Sequence, residues 1–192
     1  MDEKEKMLKG LAYQAFKDKK LFEDRIKAKD LCYEFNSLKP SQIEERKAII
    51  RKLFGKIKGD FNIESNFFCD YGYNIEIGEN FYINHNCVML DCNKITFGDN
   101  VLIGPNCNFF CAIHPLDTET RNSGLEYALP ITVGDNVWFG GNVTVLPNVK
   151  IGSDTVIGAG SVVTKDIPSG VVAVGNPCKV LRKITEADKN KY

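Results

Sequence analysis

His114 is the residue of this 192-residue chain whose type and surroundings best suit chemistry. It stands in the segment from Ala112 to Leu129, which is polar and rich in turn-forming residues. A neutral imidazole can take a proton from a hydroxyl near pH 7. Asp117 and Glu126 follow in the same segment and could orient the imidazole or hold a polar substrate. These residues predict general-base chemistry at His114.

Cys111 lies three residues before His114 and raises the alternative of a Cys-His nucleophile pair. Phe109 and Cys111 share one face because side chains alternate along a strand, and that face is most simply the core. His85 is expected to be a polar surface residue. With two histidines in all, one copy of the chain cannot build a three-histidine zinc site. No metal is expected to be required.

A cluster of basic residues near the C-terminus suits anion binding. Exposed backbone N–H groups together with lysine or arginine side chains can pair with phosphates. A ligand that carries a diphosphate and a 3′-phosphate would suit such a site. The alternative is that these residues are solvated surface and that the nearby glycines are bends. The cluster comprises Thr164, Lys165, Lys179, Arg182 and Lys183, close to Gly158-Ala159-Gly160.

A repeat of six residues must position these groups. Apolar residues open each hexad, and small or β-branched residues fill its fifth place; a repeat this short makes each hexad one side of a coil. Three sides give a β-helix of triangular section, with stacked coils spaced as hydrogen-bonded strands are. Glycines are predicted to give backbone freedom at the bends. The hexads open at Val133, Phe139, Val145, Ile151, Ile157 and Val163, their fifth places are Val137, Val143, Val149, Thr155, Ser161 and Ile167, and the glycines are Gly134, Gly140, Gly152 and Gly158.

The same period extends upstream from Ile57, with successive series that start 20 residues apart, at Ile57, Ile77 and Phe97. The next series starts at Val133, which is 36 residues after Phe97. The excess falls within residues 112–129 and predicts a loop that leaves the prism. Long ordered loops in compact repeats are usually functional. A lone histidine is more often structural, but its place at the root of this loop favours a role for His114.

Residues 1–56 do not follow the six-residue step and predict a helical cap. Helical spacing is seen in Met7, Leu8, Leu11 and Ala15, and again from Leu21 to Phe35. Ser41 and Glu44 match a capping box, which would open a helix that runs to Gly55. Solenoid ends need capping because they expose apolar core and strand edges. We expect a cap at 1–56, a β-helix at 57–178 with a protruding loop at 112–129, and a tail at 179–192.

The composition limits the possible partners. Twenty-five basic and 25 acidic residues give a formal net charge of zero, which gives no support for nucleic acid or an anionic membrane as a partner. The N-terminus lacks the apolar core of a signal peptide and no run is long enough to span a membrane, so a cytoplasmic location is expected. Seven cysteines, an odd number, argue for free thiols.

Several motifs together resemble the maltose and galactoside O-acetyltransferases of the hexapeptide-repeat superfamily, over nearly the whole chain. The resemblance implies a left-handed parallel β-helix after an N-terminal helical segment, a homotrimer with active sites between subunits, and acetyl-CoA as donor. It also implies direct attack by a sugar hydroxyl that His114 deprotonates. The motifs are Tyr33-Glu34-Phe35-Asn36, Tyr71-Gly72, His114-Pro115-Leu116-Asp117, Pro130-Ile131-Thr132-Val133-Gly134, Gly158-Ala159-Gly160-Ser161 and Gly175-Asn176-Pro177-Cys178.

The resemblance also assigns binding roles by position. The acceptor side comprises Asp70, Asn84, Asp91 and Glu126, and the coenzyme side comprises Asn84, Trp138, Gly140, Gly141, Ala159, Thr164, Lys165, Lys179 and Arg182. Ala15 and Cys92 stand where galactoside enzymes carry aspartates, which puts galactoside specificity in doubt. Glu126 and Asp70 look more like the maltose and glucose branch.

The leading hypothesis is therefore transfer of acetyl from acetyl-CoA to a hydroxyl of maltose, glucose or a related small saccharide. Within the same superfamily, the acceptor could instead be an antibiotic or a cell-surface sugar. A metal hydratase resembling the γ-class carbonic anhydrases is an alternative of a different class, but its histidine set is missing. A non-catalytic β-helical scaffold would leave the His114 loop and the basic cluster unexplained.

Overall fold

Short strands recur in threes between residues 56 and 174 of the chain, which this computed structural model describes over residues 1–189. Each set of three forms one coil of a parallel β-helix. The first three coils contain β1 Lys56–Ile57, β2 Phe61–Ile63, β3 Phe67–Cys69, β4 Ile75–Ile77, β5 Phe81–Ile83, β6 Cys87–Leu90, β7 Ile95–Phe97, β8 Leu102–Ile103 and β9 Asn108–Phe110. A hairpin of β10 Ala112–Ile113 and β11 Tyr127–Ala128 follows, with α-helix Thr118–Asn122 between its strands. The remaining strands are β12 Ile131–Val133, β13 Trp138–Phe139, β14 Thr144–Val145, β15 Lys150–Ile151, β16 Val156–Ile157, β17 Val162–Val163, β18 Val171–Val174 and β19 Lys179–Lys183.

Stacking of the coils produces three sheets, which are the sides of the prism. Sheet I contains β1, β4, β7, β12 and β15; sheet II contains β2, β5, β8, β13, β16 and β18, with β19 added antiparallel at its end; sheet III contains β3, β6, β9, β14 and β17. In sheet I, Ile57 pairs with Ile77, Ile95 with Ile131 and Thr132 with Lys150. The 36-residue step from Ile95 to Ile131 contains the hairpin, at which the chain leaves the prism.

The hexad pattern correctly predicts which side chains fill the prism. All six residues that open the downstream hexads are buried, and so are all six at the fifth places. Aromatic rings pack inside the prism in tilted and edge-on pairs, with ring centroids 5.0 Å apart for Phe81 and Phe97, 5.1 Å for Phe97 and Phe109, and 5.3 Å for Phe109 and Phe139. Such pairs add about 1 kcal/mol each beyond their burial.

The predicted reason for the glycines is wrong. The left-handed turn conformation is adopted at the corners by asparagines and one aspartate, with φ between 53° and 65°. Gly140 is needed instead for close packing, because a Cβ there would lie 2.6 Å from the backbone nitrogen of Ala159 in the next coil. The turn residues are Asn66, Asn80, Asn86, Asn100, Asn106, Asn136, Asn142, Asn148 and Asp154.

The turn asparagines also join the coils through side-chain ladders. Asn80 donates to Asn100 at 3.0 Å, Asn100 to Asn136 at 3.0 Å, and Asn136 to Asp154 at 2.9 Å. A short polar side chain tolerates the left-handed region and can hydrogen-bond locally. The ladder thus explains why asparagine recurs where the chain turns.

Three helices precede the prism: α1 Glu3–Leu8, α2 Lys19–Ser37 and α3 Ile43–Leu53; the hairpin helix Thr118–Asn122 is α4. The predicted helical run from Met7 to Ala15 is interrupted, because α1 ends before Gly10, which has a φ of +69°. The predicted capping box is also wrong, since the N-cap of α3 is Gln42 and makes no side-chain capping bond. None of the helices within residues 1–189 is both long and apolar enough to cross a membrane.

The outer faces of the three sheets differ in polarity. Sheet I presents Lys56, Glu76, Thr96, Thr132 and Lys150 in register. Sheet II presents Tyr82, Leu102, Trp138, Val156 and Val172, and sheet III presents Phe68, Val88, Asn108, Thr144 and Val162. Two sides of the prism are therefore largely apolar on the outside and the third is polar.

Candidate active site

Most of the predicted acceptor-side residues lie at the corner where sheet III passes to sheet I, here called the III/I corner. Asp70 directly follows β3, and Asp91 directly follows β6. The hairpin that carries His114 leaves from the same corner after β9. Thr164 and Lys165 follow β17, farther along the same column. The coil geometry thus places residues from four parts of the sequence along one edge.

Asp91 holds the turn that carries Asp70. Its carboxylate accepts hydrogen bonds from the backbone N–H of Asp70 at 3.0 Å, of Tyr71 at 2.8 Å and of Asn74 at 3.4 Å. Asp91 has no exposed surface within the chain. Burial raises the pKa of this carboxyl to about 8, with a further contribution from the charge of Asp70, while the hydrogen bonds from the backbone of Tyr71 and Asn74 act in the opposite direction. Within one chain, Asp91 therefore positions the turn that carries Asp70.

The hairpin presents His114 at its root. Ala112 pairs with Ala128, and Ile113 with Tyr127, so a two-stranded ladder fixes the chain directly before the histidine. His114 itself is exposed. Asp117 does not orient it as predicted, because its carboxylate caps α4 by accepting from the backbone N–H and the hydroxyl of Thr120, both at 2.7 Å. Over residues 1–189, no hydrogen bond from Asp117 or Glu126 to the imidazole is present.

Glu126 directly precedes the return strand of the hairpin and is tied to the N-terminal segment. Tyr13 and Glu126 exchange two backbone hydrogen bonds of 3.0 Å, and the Tyr13 hydroxyl donates to Glu126 Oε2 at 3.1 Å. Both residues are buried. Asn93 adds a second clamp, because its side-chain amide donates to the carbonyls of Met7 and Ala128 at 3.1 and 2.8 Å. The cap therefore positions the loop, as well as covering the end of the prism.

A second apolar core lies beneath this junction, separate from the core of the prism. It joins the cap to the Asp70 turn and to the hairpin, and it consists of Met7, Tyr13, Ala15, Leu21, Tyr71, Cys92 and Ala128. Cys92 donates to Asp70 Oδ2 at 3.4 Å, so one side of the Asp70 carboxylate is held in place. The sequence gives little sign of this core, since its members come from three distant segments without a common period.

Cys111 is unsuited to nucleophilic catalysis. Its side chain is fully buried and donates weakly to the Lys94 carbonyl at 3.8 Å. Burial raises the pKa of the thiol to about 12, so the reactive thiolate is scarce at neutral pH. The interpretation of Cys111 as a core residue is confirmed. Within residues 1–189, no group of three or more His, Cys, Asp or Glu side chains is arranged to hold a metal ion.

Several predicted coenzyme-side residues lie at a different corner, where sheet II passes to sheet III, here called the II/III corner. Asn84 follows β5, and successive coils place Gly140, Gly141 and Ala159 along the same column. Asn84 is half-buried, and its side-chain oxygen accepts from the N–H of His85 at 2.7 Å. One full side of the prism, sheet III, separates this column from His114.

Trp138 and Arg182 lie in one row on the outer face of sheet II. Trp138 pairs with Val156, Val156 with Val172, and Val172 with Arg182. Three strand spacings separate the two, which is about 14 Å. Trp138 is half exposed, and Lys179 and Arg182 are exposed on β19. Arg182 also pairs with Asp188, with both guanidinium-to-carboxylate distances at 2.8 Å. An exposed indole and cations in line suit an elongated ligand with a ring and phosphates.

The predicted site residues thus form two groups on each chain. His114, Asp70, Asp91, Glu126, Thr164 and Lys165 belong to the III/I corner; Asn84, Trp138, Gly140, Gly141, Ala159, Lys179 and Arg182 belong to the II/III corner and sheet II. The predicted tail runs to residue 192, and its last three residues lie outside the described range.

Sequence reasoning missed Tyr13, Tyr71 and Asn93, which contact or support the loop. Two signals pointed to them. The interrupted helical pattern around Gly10 leaves an extended segment that must pair elsewhere. Asn93 stands at the fifth place of the hexad that Met89 opens, where a small or β-branched residue is expected, so the buried amide there needs partners outside the prism.

Comparison with known proteins agrees with this architecture. Residues 6–59 match the maltose acetyltransferase hexapeptide capping motif, and residues 130–165 match six repeats of the bacterial transferase hexapeptide. A maltose O-acetyltransferase from Clostridium difficile 630 has a TM-score of 0.94 and 52% identity, covering 97% of this chain and 99% of that one.

Two solved structures with coenzyme bound are also similar. A galactoside acetyltransferase in complex with coenzyme A has a TM-score of 0.96 and 43% identity, covering 100% of this chain and 96% of that one. A hexapeptide-repeat acetyltransferase from Vibrio cholerae in complex with acetyl-coenzyme A has a TM-score of 0.89 and 38% identity, covering 97% of this chain and all of that one. The predicted left-handed parallel β-helix is confirmed. The chain therefore belongs to the maltose and galactoside O-acetyltransferase family of hexapeptide-repeat proteins, and it is an acetyl-CoA-dependent acetyltransferase.

Proposed function

We propose that this enzyme transfers the acetyl group of acetyl-CoA to a hydroxyl of a small sugar such as maltose or glucose, with His114 as the general base. The observation that carries the proposal is the position of His114. It is exposed, and the hairpin ladder fixes it at the root of the hairpin, at the same corner of the prism as Asp70. An accessible imidazole on a rigid base can take the proton of a bound hydroxyl.

The acceptor side offers groups that suit a polyhydroxylated ligand. Carboxylates are strong hydrogen-bond acceptors for hydroxyl groups. Asp70 is half-buried, held by Cys92 on one oxygen and by Asp91 through its backbone. Glu126 is held by Tyr13. Such restraint lowers the entropy lost when a sugar binds.

The coenzyme side offers the groups needed for acetyl-CoA, which supplies the activated thioester. Arg182, Lys179 and Lys165 can pair with phosphates, and the exposed ring of Trp138 lies in the row that leads to Arg182. Asn84 lies at the corner nearest to where the acetyl group would meet the acceptor. His114 then acts on the acceptor hydroxyl alone, and no thiol of the chain takes part.

A homotrimer would bring the two groups of residues together. In a cyclic trimer each chain uses two different surfaces, one against each neighbour. The outer faces of sheets II and III are largely apolar, while sheet I is polar, as two such interfaces require. The III/I corner of one chain would then face the II/III corner of the next, which completes each site from two chains.

Mixing two inactive variants tests the shared site. His114→Ala removes the base at one corner, and Asn84→Ala alters the other. After subunit exchange, a mixed trimer has one of its three sites formed by two unaltered corners. We expect activity to reappear on mixing, and neither variant alone to show it. If the site lay within one chain, no mixture would recover activity. Sedimentation equilibrium of a fully active species near the chain mass of 21.5 kDa would also contradict the trimer.

The acceptor is tested by incubating the protein with acetyl-CoA and a panel of mono- and disaccharides. Thiol release is compared with the mass gained by each acceptor. The expected result is stoichiometric acetylation of maltose or glucose in preference to galactosides. Aminoglycoside antibiotics and cell-surface sugars serve as competing acceptors, and faster transfer to one of them would replace the small-sugar assignment.

A further inference from the structure

Cys32 and Cys69 form a close pair of thiols between the cap and the prism. Their sulfur atoms are 3.7 Å apart and share a hydrogen bond, although 37 residues separate them in sequence. Cys32 lies on α2, and Cys69 is the last residue of β3. Closing a disulfide from this arrangement needs an approach of about 1.7 Å, since bonded sulfurs lie about 2.0 Å apart.

Neighbouring contacts keep the two elements that carry these thiols in place. Asn36, one turn along α2 from Cys32, accepts from the backbone N–H of Asn66 at 2.8 Å and of Phe67 at 3.1 Å. Its amide donates to the Phe67 carbonyl at 2.9 Å. The distance between the thiols therefore follows from a fixed docking of α2 on β3, and does not depend on a mobile loop.

Both thiols are buried within the chain, and they lie at the floor of a groove of about 540 Å³. Cys32 and Cys69 line this groove together with Lys29, Tyr33 and Asp70. The walls are mostly apolar, and Lys29 supplies a positive charge one turn before Cys32. The thiolate is the reactive form of a cysteine.

We propose that Cys32 and Cys69 are a redox modification site, at which hydrogen peroxide or a small-molecule disulfide such as oxidised glutathione forms a reversible intramolecular disulfide. The bond links the cap to the strand end that carries Asp70. None of the residues assigned to acetyl transfer takes part, so the proposal does not depend on the sugar acceptor.

With hydrogen peroxide as the oxidant, the disulfide forms in two steps. The Cys32 thiolate attacks one peroxide oxygen, the O–O bond breaks, and the released hydroxide takes a proton to become water. Cys32 is then a sulfenic acid. The sulfur of Cys69 attacks the Cys32 sulfur and displaces hydroxide, which leaves as a second water with the Cys69 proton. In sum, two thiols and one peroxide give one disulfide and two waters.

The two thiols are matched to these different roles. The hydrogen bond from Cys69 lowers the pKa of Cys32. The same hydrogen bond, together with burial, raises the pKa of Cys69 well above its ordinary value. Cys32 is therefore the attacking residue and Cys69 the resolving one. Cys87 and Cys107 make a useful comparison, because they are buried in the prism core with raised pKa values.

The test treats folded wild-type protein with dilute hydrogen peroxide, blocks the remaining thiols and maps the disulfide by mass spectrometry. The protein is cut with both trypsin and chymotrypsin, because the tryptic peptide of residues 59–94 holds Cys69, Cys87 and Cys92 together. The expected product is one peptide pair joined through Cys32 and Cys69, with free thiols in the denatured protein falling from seven to five. Dithiothreitol should restore all seven. The thermal midpoint should rise on oxidation, because the bond restrains the unfolded chain.

Cys32→Ser and Cys69→Ser should each prevent the crosslink, while the matched variant Cys178→Ser should retain it. A disulfide that maps to another pair, such as Cys87 with Cys107, would overturn the assignment. So would a crosslink that forms only after denaturation, or oxidation of Cys32 alone to irreversible acids. The mapping of wild-type protein decides the matter even if one serine variant fails to fold.

Discussion

The two groups of site residues differ in how they are held. At the III/I corner the carboxylates of Asp91 and Glu126 are buried and hydrogen-bonded across distant segments of the chain. At the II/III corner and on sheet II, Trp138, Lys179 and Arg182 lie on the surface. The proposed acceptor side would therefore be formed within one chain, whereas the proposed coenzyme side is an open surface that, in the proposed trimer, a neighbouring chain and the coenzyme itself would cover.

This difference predicts different consequences of mutation. Residues of the acceptor side contribute to folding as well as to binding, because their partners belong to the cap, the hairpin and the prism at once. Exposed residues of the coenzyme side contribute little to folding, since surface ion pairs stabilise by about 1 kcal/mol or less. A variant of the first group should change both the stability and the Michaelis constant for the sugar acceptor. A variant of the second group should change only the Michaelis constant for acetyl-CoA.

The largest effect is expected for His114→Ala. Turnover should fall by roughly two to four orders of magnitude, the usual range for a positioned general base. Coenzyme affinity and thermal stability should stay close to those of the wild type, because His114 is exposed. Steady-state kinetics measures the turnover, and titration with coenzyme measures the coenzyme affinity. Added imidazole should restore part of the turnover. If more than a tenth of wild-type turnover remained without imidazole, the base would have to be another residue.

Asp91 is expected to give the next largest effect, on stability. Asp91→Ala leaves three backbone N–H groups of the Asp70 turn without an acceptor, and each unsatisfied buried group costs about 1 to 3 kcal/mol. Asp91→Asn should be milder, because its amide oxygen can accept from the N–H groups of Asp70 and Tyr71. Urea unfolding at fixed protein concentration compares the two. An equal loss of unfolding free energy in both variants would contradict the hydrogen-bond explanation.

The contribution of Asp91 to stability should change with pH in one direction. The folded pKa of Asp91 is raised to about 8, so between the ordinary carboxyl range and about pH 8 the folded state keeps a proton that the unfolded chain releases. Stability from this group is complete at low pH and is lost as the pH rises through about 8. Asp91→Asn resembles the protonated form and should lack this loss. Its free energy of unfolding should therefore fall less than that of the wild type between pH 6 and pH 9.

Much of the prism could be predicted from the sequence, because the hexad places a side chain in the core by a local rule. Phe139 and Val145 are buried as the period requires. The 36 residues between the hexads that open at Phe97 and Val133 exceed the spacing of one coil, and this excess predicted the position of the loop. The glycine assignment failed because a period shows where the chain turns, but not whether a turn needs a left-handed residue or close packing of coils.

The support of the site could not be predicted, because it depends on contacts between distant segments. Tyr13 and Glu126 are 113 residues apart. Asp91 appears in the sequence as a polar residue after a strand, which is equally consistent with an exposed ligand contact and a buried turn acceptor. Only the fold shows that its oxygens are already occupied by backbone N–H groups.

Arg182→Ala tests the coenzyme side, and its effect should be smaller than those of the His114 and Asp91 variants. Loss of a charge-assisted contact with a phosphate typically costs about 1.5 to 3 kcal/mol, or roughly a ten- to hundredfold rise in the Michaelis constant for acetyl-CoA. Turnover and the sugar constant should change little, since the phosphates are far from the thioester. The defect should shrink with dephospho-coenzyme A derivatives if Arg182 binds the 3′-phosphate.

A matched control for Arg182 is Lys58→Ala. Lys58 is also an exposed cation and also pairs with an aspartate, Asp99, at 2.6 Å, but it lies between β1 and β2, away from both site corners. The control should leave both Michaelis constants unchanged. Equal effects of the two substitutions, or a loss confined to turnover, would mean that the basic tail is only solvated surface.

The smallest effect is expected for Tyr13→Phe, which removes one oxygen atom from the acceptor side. The hydroxyl of Tyr13 donates to Glu126 at 3.1 Å in a buried setting, and such a bond contributes about 1 kcal/mol. Without it, the Glu126 carboxylate loses its fixed orientation, and the Michaelis constant for sugar should rise roughly fivefold. The constant for acetyl-CoA should not change, which is the reverse of the result expected for Arg182→Ala. Tyr33→Phe is the matched control, since Tyr33 is exposed on α2 and its loss of a hydroxyl should alter neither constant. If Tyr13→Phe raised the coenzyme constant as much as the sugar constant, the two sides of the site would not be held independently, and the contrast between a preformed acceptor side and an open coenzyme side would be wrong.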